Sequence, residues 1–159
     1  MIVPDLITLR DALPRNQRVL GLDLGEKTIG LALSDPGLSV ASPISTIKRT
    51  KFTADATALL KLAGERGVGG LVIGLPLNMD GSEGPRCQSV RQFAANLLKL
   101  KDLPILFWDE RLSTMAVERE MIAHDVTRAR RDKVVDQAAA AFILQGALDS
   151  LSRIKASSN

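Results

Sequence analysis

Little in this chain is aromatic: Phe and Trp together make up 3% of the 159 residues, and tyrosine is absent. That weighs against a single-strand binder built on stacking platforms, which needs ring after ring along its groove. There is one cysteine, Cys87, so no internal disulfide can form. With one histidine, His124, beside it, a zinc site of Cys and His ligands is excluded as well. No apolar run approaches the roughly 20 residues of a membrane span. The N-terminus carries Asp5 and Arg10 inside its apolar part, which breaks the h-region a secretory leader needs. These absences predict a reduced, cytoplasmic protein that works without a membrane.

What is present is ordinary globular composition, with 45% hydrophobic and 25% charged residues. The net charge is only +3, with a pI near 9.3. The basic residues cluster, however: Arg15 with Arg18, Lys48 with Arg49 and Lys51, and Arg128 with Arg130, Arg131 and Lys133. Such clusters can follow a phosphate backbone, although each one read singly also suits a solvated loop.

The hydrophobic pattern predicts one domain. Residues 1–17 form an extension with a short helix over 4–13, closed by Pro14. Residues 18–152 form the main body, and 153–159 a tail. Two apolar strands, Arg18–Leu24 and Thr28–Ser34, flank the tight turn Gly25-Glu26-Lys27, which reads as a hairpin. A third strand covers 42–48. A helix follows with Phe52, Ala56, Leu59, Leu60 and Ala63 on one face, ended by Gly67 and Gly69-Gly70. Leu71–Gly74 is a short buried strand, and Leu75–Pro85 a long loop. Next come a helix with Val90, Phe93, Ala94, Leu97 and Leu98 on one stripe, and a fifth strand, Pro104–Trp108. A further helix starts near Ser113. After a basic loop, a last helix runs over 132–151, with Val135, Ala139, Phe142, Ile143 and Gly146 inward. The order implies an α/β fold: a mixed five-stranded sheet with helices on both faces.

Three acids stand out. Asp23 lies within Val-Leu-Gly-Leu-Asp-Leu-Gly, a strand otherwise built for burial, where a carboxylate is costly unless paired or bound to metal. A turn-capping role is the plain alternative. Glu110 follows the fifth strand, where open sheets of this kind place their sites; a surface pair of Asp109 or Glu110 with Arg111 is its alternative. Asp136 sits about one turn into the alanine-rich last helix, where the helix dipole alone would also account for an acid. Acids from three separated segments suit Mg2+ or Mn2+, which prefer oxygen ligands. His124 reads as structural or surface.

Four ordered segments carry a resemblance. Gly21-Leu-Asp23-Leu-Gly25-Glu-Lys27-Thr-Ile-Gly30 through Asp35 is similar to the opening motif of the YqgF-type pre-16S rRNA nucleases, also described as Holliday junction resolvases. So are Gly74-Leu-Pro76-Leu-Asn78-Met-Asp80-Gly81-Ser-Glu-Gly84, Asp109-Glu110-Arg111-Leu-Ser113-Thr114 and Lys133-Val-Val-Asp136-Gln137-Ala138-Ala139. Together they span residues 18–148. The resemblance implies a ribonuclease-H-like fold and divalent-metal nuclease chemistry with Asp23, Glu110 and Asp136 as the catalytic and metal-binding set. It further implies processing of the 5′ end of precursor 16S rRNA in ribosome biogenesis. The branched-DNA activity of a junction resolvase, and a non-catalytic nucleic-acid-binding module of the same fold, are the alternatives. Lys27, Asn78, Arg128, Arg130, Arg131 and Lys133 are the expected nucleic-acid contacts. Precursor rRNA or branched DNA, and ribosomal particles, are the expected partners, and the protein is expected as a monomer or weak dimer. A phosphotransferase or ATPase of the actin and sugar-kinase type also opens with strand, Asp-x-Gly and hairpin. It needs a second phosphate loop and a second domain, for which this chain has no room.

One feature is awkward. Ribonuclease-H-like nucleases often end their fourth strand with an acid. Here that place reads Gly74-Leu75-Pro76-Leu77-Asn78, and the acid comes one strand further out, at Glu110. Each strand step is about 4.8 Å, so Glu110 must reach across.

Overall fold

Three strands buried on both faces build the centre of the molecule. The computed structural model describes residues 1–111 and the helix backbone 128–157, with the side chains of that helix from 137 to 154. Strand β1 (Arg18–Leu24) pairs antiparallel with β2 (Thr28–Ser34), and β2 with β3 (Ala41–Lys48). Helix α2 (Phe52–Glu65) leads into β4 (Val68–Leu75), and α3 (Pro85–Leu100) into β5 (Ile105–Asp109). Both β4 and β5 are parallel to β1, and the sheet order is β3-β2-β1-β4-β5. The fold is therefore the mixed five-stranded α/β sheet that the sequence predicts. The helix expected near Ser113, and His124, lie outside the described residues.

Each face of the sheet has its own core. Leu20, Leu22, Leu71 and Ile73 pack with Leu59 of α2 and Phe93 and Leu97 of α3. On the opposite face, Val19, Ala32, Val72 and Leu106 pack with Ala140, Ile143, Leu144 and Ala147 of the C-terminal helix α4 (Arg128–Ser157). Helix α1 (Leu6–Ala12) joins this second core through Leu6 and Leu9; it starts at Asp5, whose carboxylate accepts from the Thr8 amide at 2.8 Å. Side chains in a strand alternate between faces. Gly21, Asp23, Gly74 and Trp108 consequently share the α4 face.

Close approach explains one glycine there. A Cβ on Gly21 would lie 2.8 Å from the Leu144 Cβ and 3.1 Å from the Ala140 carbonyl, so α4 lies flush on β1. The segment before α1 runs along the outer side of β5: the Val3 amide donates to the Ile105 carbonyl at 2.8 Å, and the Ile105 amide to the Met1 carbonyl at 2.9 Å.

Several boundaries differ from expectation. Gly67, at φ +66°, does end α2, but Gly69 and Gly70 belong to β4. They are small because α1 and its exit press on them: Cβ atoms there would come within 2.8 Å of Gln17 and 2.9 Å of Leu13. Helix α4 is described over Arg128–Ser157, so the basic cluster is helical and not in a loop, and most of the expected tail is helical. Phe142, expected inward, is 39% exposed. The buried stripe is Ala140, Ile143, Leu144, Ala147, Leu148 and Leu151, and helical periodicity carries position 142 off it.

Candidate nuclease site

The carboxyl ends of β1, β4 and β5 carry the candidate residues. Register aligns them. Leu22 pairs with Ile73 and Gly74 with Trp108, so Asp23 and Gly74 each follow a paired residue by one step. Glu110 comes one residue after β5, its amide 3.4 Å from the Leu75 carbonyl. Between Asp23 and Glu110 lies β4, and at the crossing point β4 has no side chain. A Cβ added to Gly74 would run into the Glu110 carboxylate and lie 2.6 Å from Ile143 Cδ1. The Glu110 carboxylate thus folds back over bare backbone toward β1. The extra strand step that made Glu110 an awkward candidate is spanned in this way.

Electrostatics records the approach. Burial raises the Glu110 carboxyl from its ordinary 4.5 to about 7, and the negative charge of Asp23 adds to the rise. Arg86 opposes it, and Asp109 contributes a smaller push upward. A glutamate that feels the charge of a neighbouring aspartate suits a hard divalent cation with oxygen ligands. The Cys87 thiol is buried and donates to the Pro76 carbonyl at 3.2 Å. Among the described residues no group of three acids, histidines or cysteines forms. The third expected ligand, Asp136, belongs to α4 one turn before Ala140, and its side chain lies outside the described residues, as do those of Arg128, Arg130, Arg131 and Lys133.

A cleft of about 450 Å³ opens beside Glu110, walled by Asn78, Met79, Arg86 and Arg111. Arg111 pairs with Asp109 at 2.6 Å and so shapes this wall, leaving Glu110 to face the cleft without it. The loop over 76–84 is internally braced. The Asn78 amide nitrogen donates to Ser82 Oγ at 3.0 Å, and the Ser82 amide to the Asp80 carboxylate at 2.9 Å. Glu83 makes a two-pronged pair with Arg91, at 2.6 and 2.9 Å, and the Arg91 guanidinium lies 5.0 Å from the centre of the Phe107 ring. Asn78 therefore lines the cleft while its amide also holds the turn. Lys27 is exposed at the β1–β2 turn, where its carbonyl accepts from the Arg49 amide at 2.8 Å.

Arg86 is not among the expected nucleic-acid contacts, although the sequence places it just past the end of the Leu75–Pro85 loop. Its signal was a cation in the first turn of a helix, at the end where the dipole disfavours positive charge. From sequence Gly74 reads as the end of a strand; in the fold its missing side chain leaves room for the Glu110 carboxylate.

Comparison with known proteins agrees with this architecture. A family model described as RuvX, Holliday junction resolvase, matches residues 17–150. A Rhodospirillum centenum protein named "Putative pre-16S rRNA nuclease" is 64% identical over 156 residues, covering 95% of this chain and 83% of its own. A Rhodospirillum rubrum protein of the same name is 62% identical over 154 residues and is covered, like this chain, to 96%. Among solved structures, T. thermophilus RuvC in complex with a Holliday junction substrate aligns with TM-score 0.55 at 14% identity, over 86% of this chain and 96% of that one. The yeast mitochondrial Holliday junction resolvase Ydc2 gives 0.53 at 15% identity, over 94% and 85%. At such identities the two structures bear on the fold alone, and they agree on a ribonuclease-H-like sheet. With more than half of its length matched by the family model and close relatives along nearly all of it, the chain is a member of the RuvX family of nucleases.

Proposed function

We propose that this nuclease trims the 5′ end of precursor 16S rRNA with Mg2+ or Mn2+ held by Asp23, Glu110 and Asp136. The observation that carries this reading is the Glu110 carboxylate lying over Gly74, its pKa lifted to about 7 in part by Asp23. Helical periodicity assigns position 136 to the stripe of α4 that includes Ala140 and Ile143, which supports Asp136 as the third ligand. When bound, the metal supplies an activated water and charge neutralisation at the scissile phosphate. The protein's own part is to hold the carboxylates at fixed separation, to admit the phosphate through the cleft beside Glu110, and to balance charge with Arg86. Lys27, Asn78 and the Arg128–Lys133 cluster would hold the flanking nucleic acid. The substrate assignment draws on the names of the relatives; on that reading the protein would work in the cytoplasm, with maturing ribosomal particles as its partner. No helix among the described residues is long and apolar enough to cross a membrane.

Junction resolution is the second reading, favoured by the description of the family and by the junction-bound neighbour. It requires two coordinated sites and hence a symmetric dimer. Metal-dependent cleavage of a precursor 16S rRNA 5′ fragment, run beside a four-way DNA junction, tests both. Cleavage of the RNA at its mature end, with the junction left intact, is the expected result. Symmetric nicking of the junction alone would replace the proposal with the second reading. Cleavage of neither would overturn both.

A further inference from the structure

The basic run Lys48, Arg49, Lys51 is not used by the carboxylate site. In the fold it lies on the link between β3 and α2, and it borders a second cleft. This cleft measures about 470 Å³, is open to solvent, and is bounded by Gly25 and Glu26 of the β1–β2 turn, Arg49 and Thr50 of the link, and Arg86 and Ser89 of α3. Arg86 also lines the cleft beside Glu110, so the two hollows meet at that side chain.

Arg49 is held in an unusual way for a surface cation. Its Nη1 donates to the Gly25 carbonyl at 2.7 Å, and its guanidinium lies 5.8 Å from the centre of the Phe93 ring. Among the described residues neither Arg49 nor Arg86 has a carboxylate within ion-pair distance. The one acid of the link region, Asp55, is 4% exposed and accepts from the Thr50 amide at 3.1 Å and the Thr50 hydroxyl at 3.2 Å. It fixes the link without adding negative charge to the cleft surface. Among the described residues Glu26 is the only acid in the lining, against Arg49 and Arg86, and exposed Lys27, Lys48 and Lys51 flank the opening. An arginine braced by a carbonyl and a ring, with its charge unmatched, is organised in advance for an anion.

We propose that this second cleft binds backbone phosphates of the nucleic acid flanking the scissile bond, with Arg49 as the anchoring cation and Arg86 as the bridge to the carboxylate site. The proposal rests on the nuclease reading above and extends it: the substrate path continues past Arg86 to the α2 and α3 side of the sheet. Binding here depends on phosphate and not on base identity, so it adds affinity with strand length and not sequence preference.

The test compares two variants with the wild type. Arg49→Gln removes the anchor. Ser89→Glu places a negative charge in the cleft from an exposed helical position and leaves the Arg49 side chain in place. Binding is read by fluorescence anisotropy across a salt series with labelled RNA of about 4 and about 12 nucleotides, the span of typical single-strand site sizes. Metal-dependent cleavage of the short RNA is measured in parallel, and melting temperature reports folding. Both variants are expected to bind the long RNA about threefold or more weakly, with the log–log salt slope of Arg49→Gln reduced by about one. Their cleavage of the short RNA is expected to fall less than their affinity for the long RNA. Wild-type affinity for long RNA and an unchanged salt slope in the folded Ser89→Glu protein would overturn the cleft assignment, whatever Arg49→Gln does to folding. If the wild type cleaves the short RNA, that result still leaves the nuclease reading standing. If the wild type neither binds nor cleaves RNA of either length, the RNA reading fails and the cleft proposal with it.

Discussion

The Glu110 carboxylate occupies the space above Gly74 that any side chain on β4 would fill. Sequence distance between the two residues is large, yet neither position makes sense without the other. Glycine leaves the crossing open, and the glutamate uses it to come within electrostatic range of Asp23.

Gly74→Ala should therefore disable the enzyme more than it loosens the fold. The added methyl meets a carboxylate that can swing aside and the Ile143 methyl at 2.6 Å, an overpacking cost of about 1–3 kcal/mol. Displacing Glu110 by about 1 Å should lower kcat by about 100-fold. Melting temperature and single-turnover cleavage measured on the same preparation check the pairing. A stable Gly74→Ala protein with full activity would show that Glu110 needs no path across β4.

Asp23→Asn should abolish cleavage while leaving the metal-free protein as stable as the wild type, or more stable. The charge of Asp23 opposes ionisation of Glu110, and the amide removes that repulsion. Magnesium and manganese should raise the melting temperature of the wild type and leave the variant unmoved. Equal metal responses in the two proteins would remove Asp23 from the ligand set.

Glu110 sets a pH dependence of definite sign. Its carboxyl is raised from 4.5 to about 7 in the folded, metal-free protein, so folding favours the protonated form. Its contribution to stability is present below pH 4.5, declines as pH rises toward 7, and is gone above that. Metal binding must displace the same proton, so Mn2+ affinity should climb as pH rises through 7. Titration calorimetry at several pH values reads this directly, and Glu110→Gln should flatten the stability profile between 4.5 and 7.

The 76–84 loop is tied to α3 through Glu83 and Arg91, and to itself through Asn78 and Ser82. We expect it to open and close over the cleft during turnover. Glu83→Gln should speed limited proteolysis within the loop, and bound nucleic acid should slow it in the wild type. Asn78→Ala should lower cleavage more than stability. Identical digestion of free and bound protein, with Asn78→Ala fully active, would reduce the loop to a connection.

Replacing Arg130 and Arg131 together with Ala should weaken nucleic-acid binding and lower the salt slope by about one for each phosphate that the two side chains neutralise. The cluster lies on α4, shortly before Asp136. A salt slope equal to that of the wild type would assign both arginines to solvent.

The β1–β2 hairpin was readable residue for residue, because an unbroken apolar run interrupted by one acid and closed by Gly25-Glu26-Lys27 admits few structures. Asp23 was legible as a candidate ligand for the same reason. Gly69 and Gly70 were not readable as strand residues: what demands them is the pressure of Leu13 and Gln17, which arrive from a segment with no sequence mark of where it docks. Phe142 misled because an aromatic at near-helical spacing looks buried, whereas α4 seats itself by small residues against Gly21. The reach of Glu110 could not be judged from strand spacing, since it depends on the face Gly74 presents.

The short segment hydrogen-bonded along β5 through Val3 and Met1 has a bearing on handling the protein. Without it, Ile105 would offer unpaired backbone groups at the rim of a parallel sheet, a template for a strand from another molecule. Bulky fusions placed directly ahead of Met1, or deletion of the first few residues, should therefore encourage self-association before they harm the distant carboxylates. Preparations carrying such changes would show anomalous size in solution for a reason unrelated to any junction-cutting dimer.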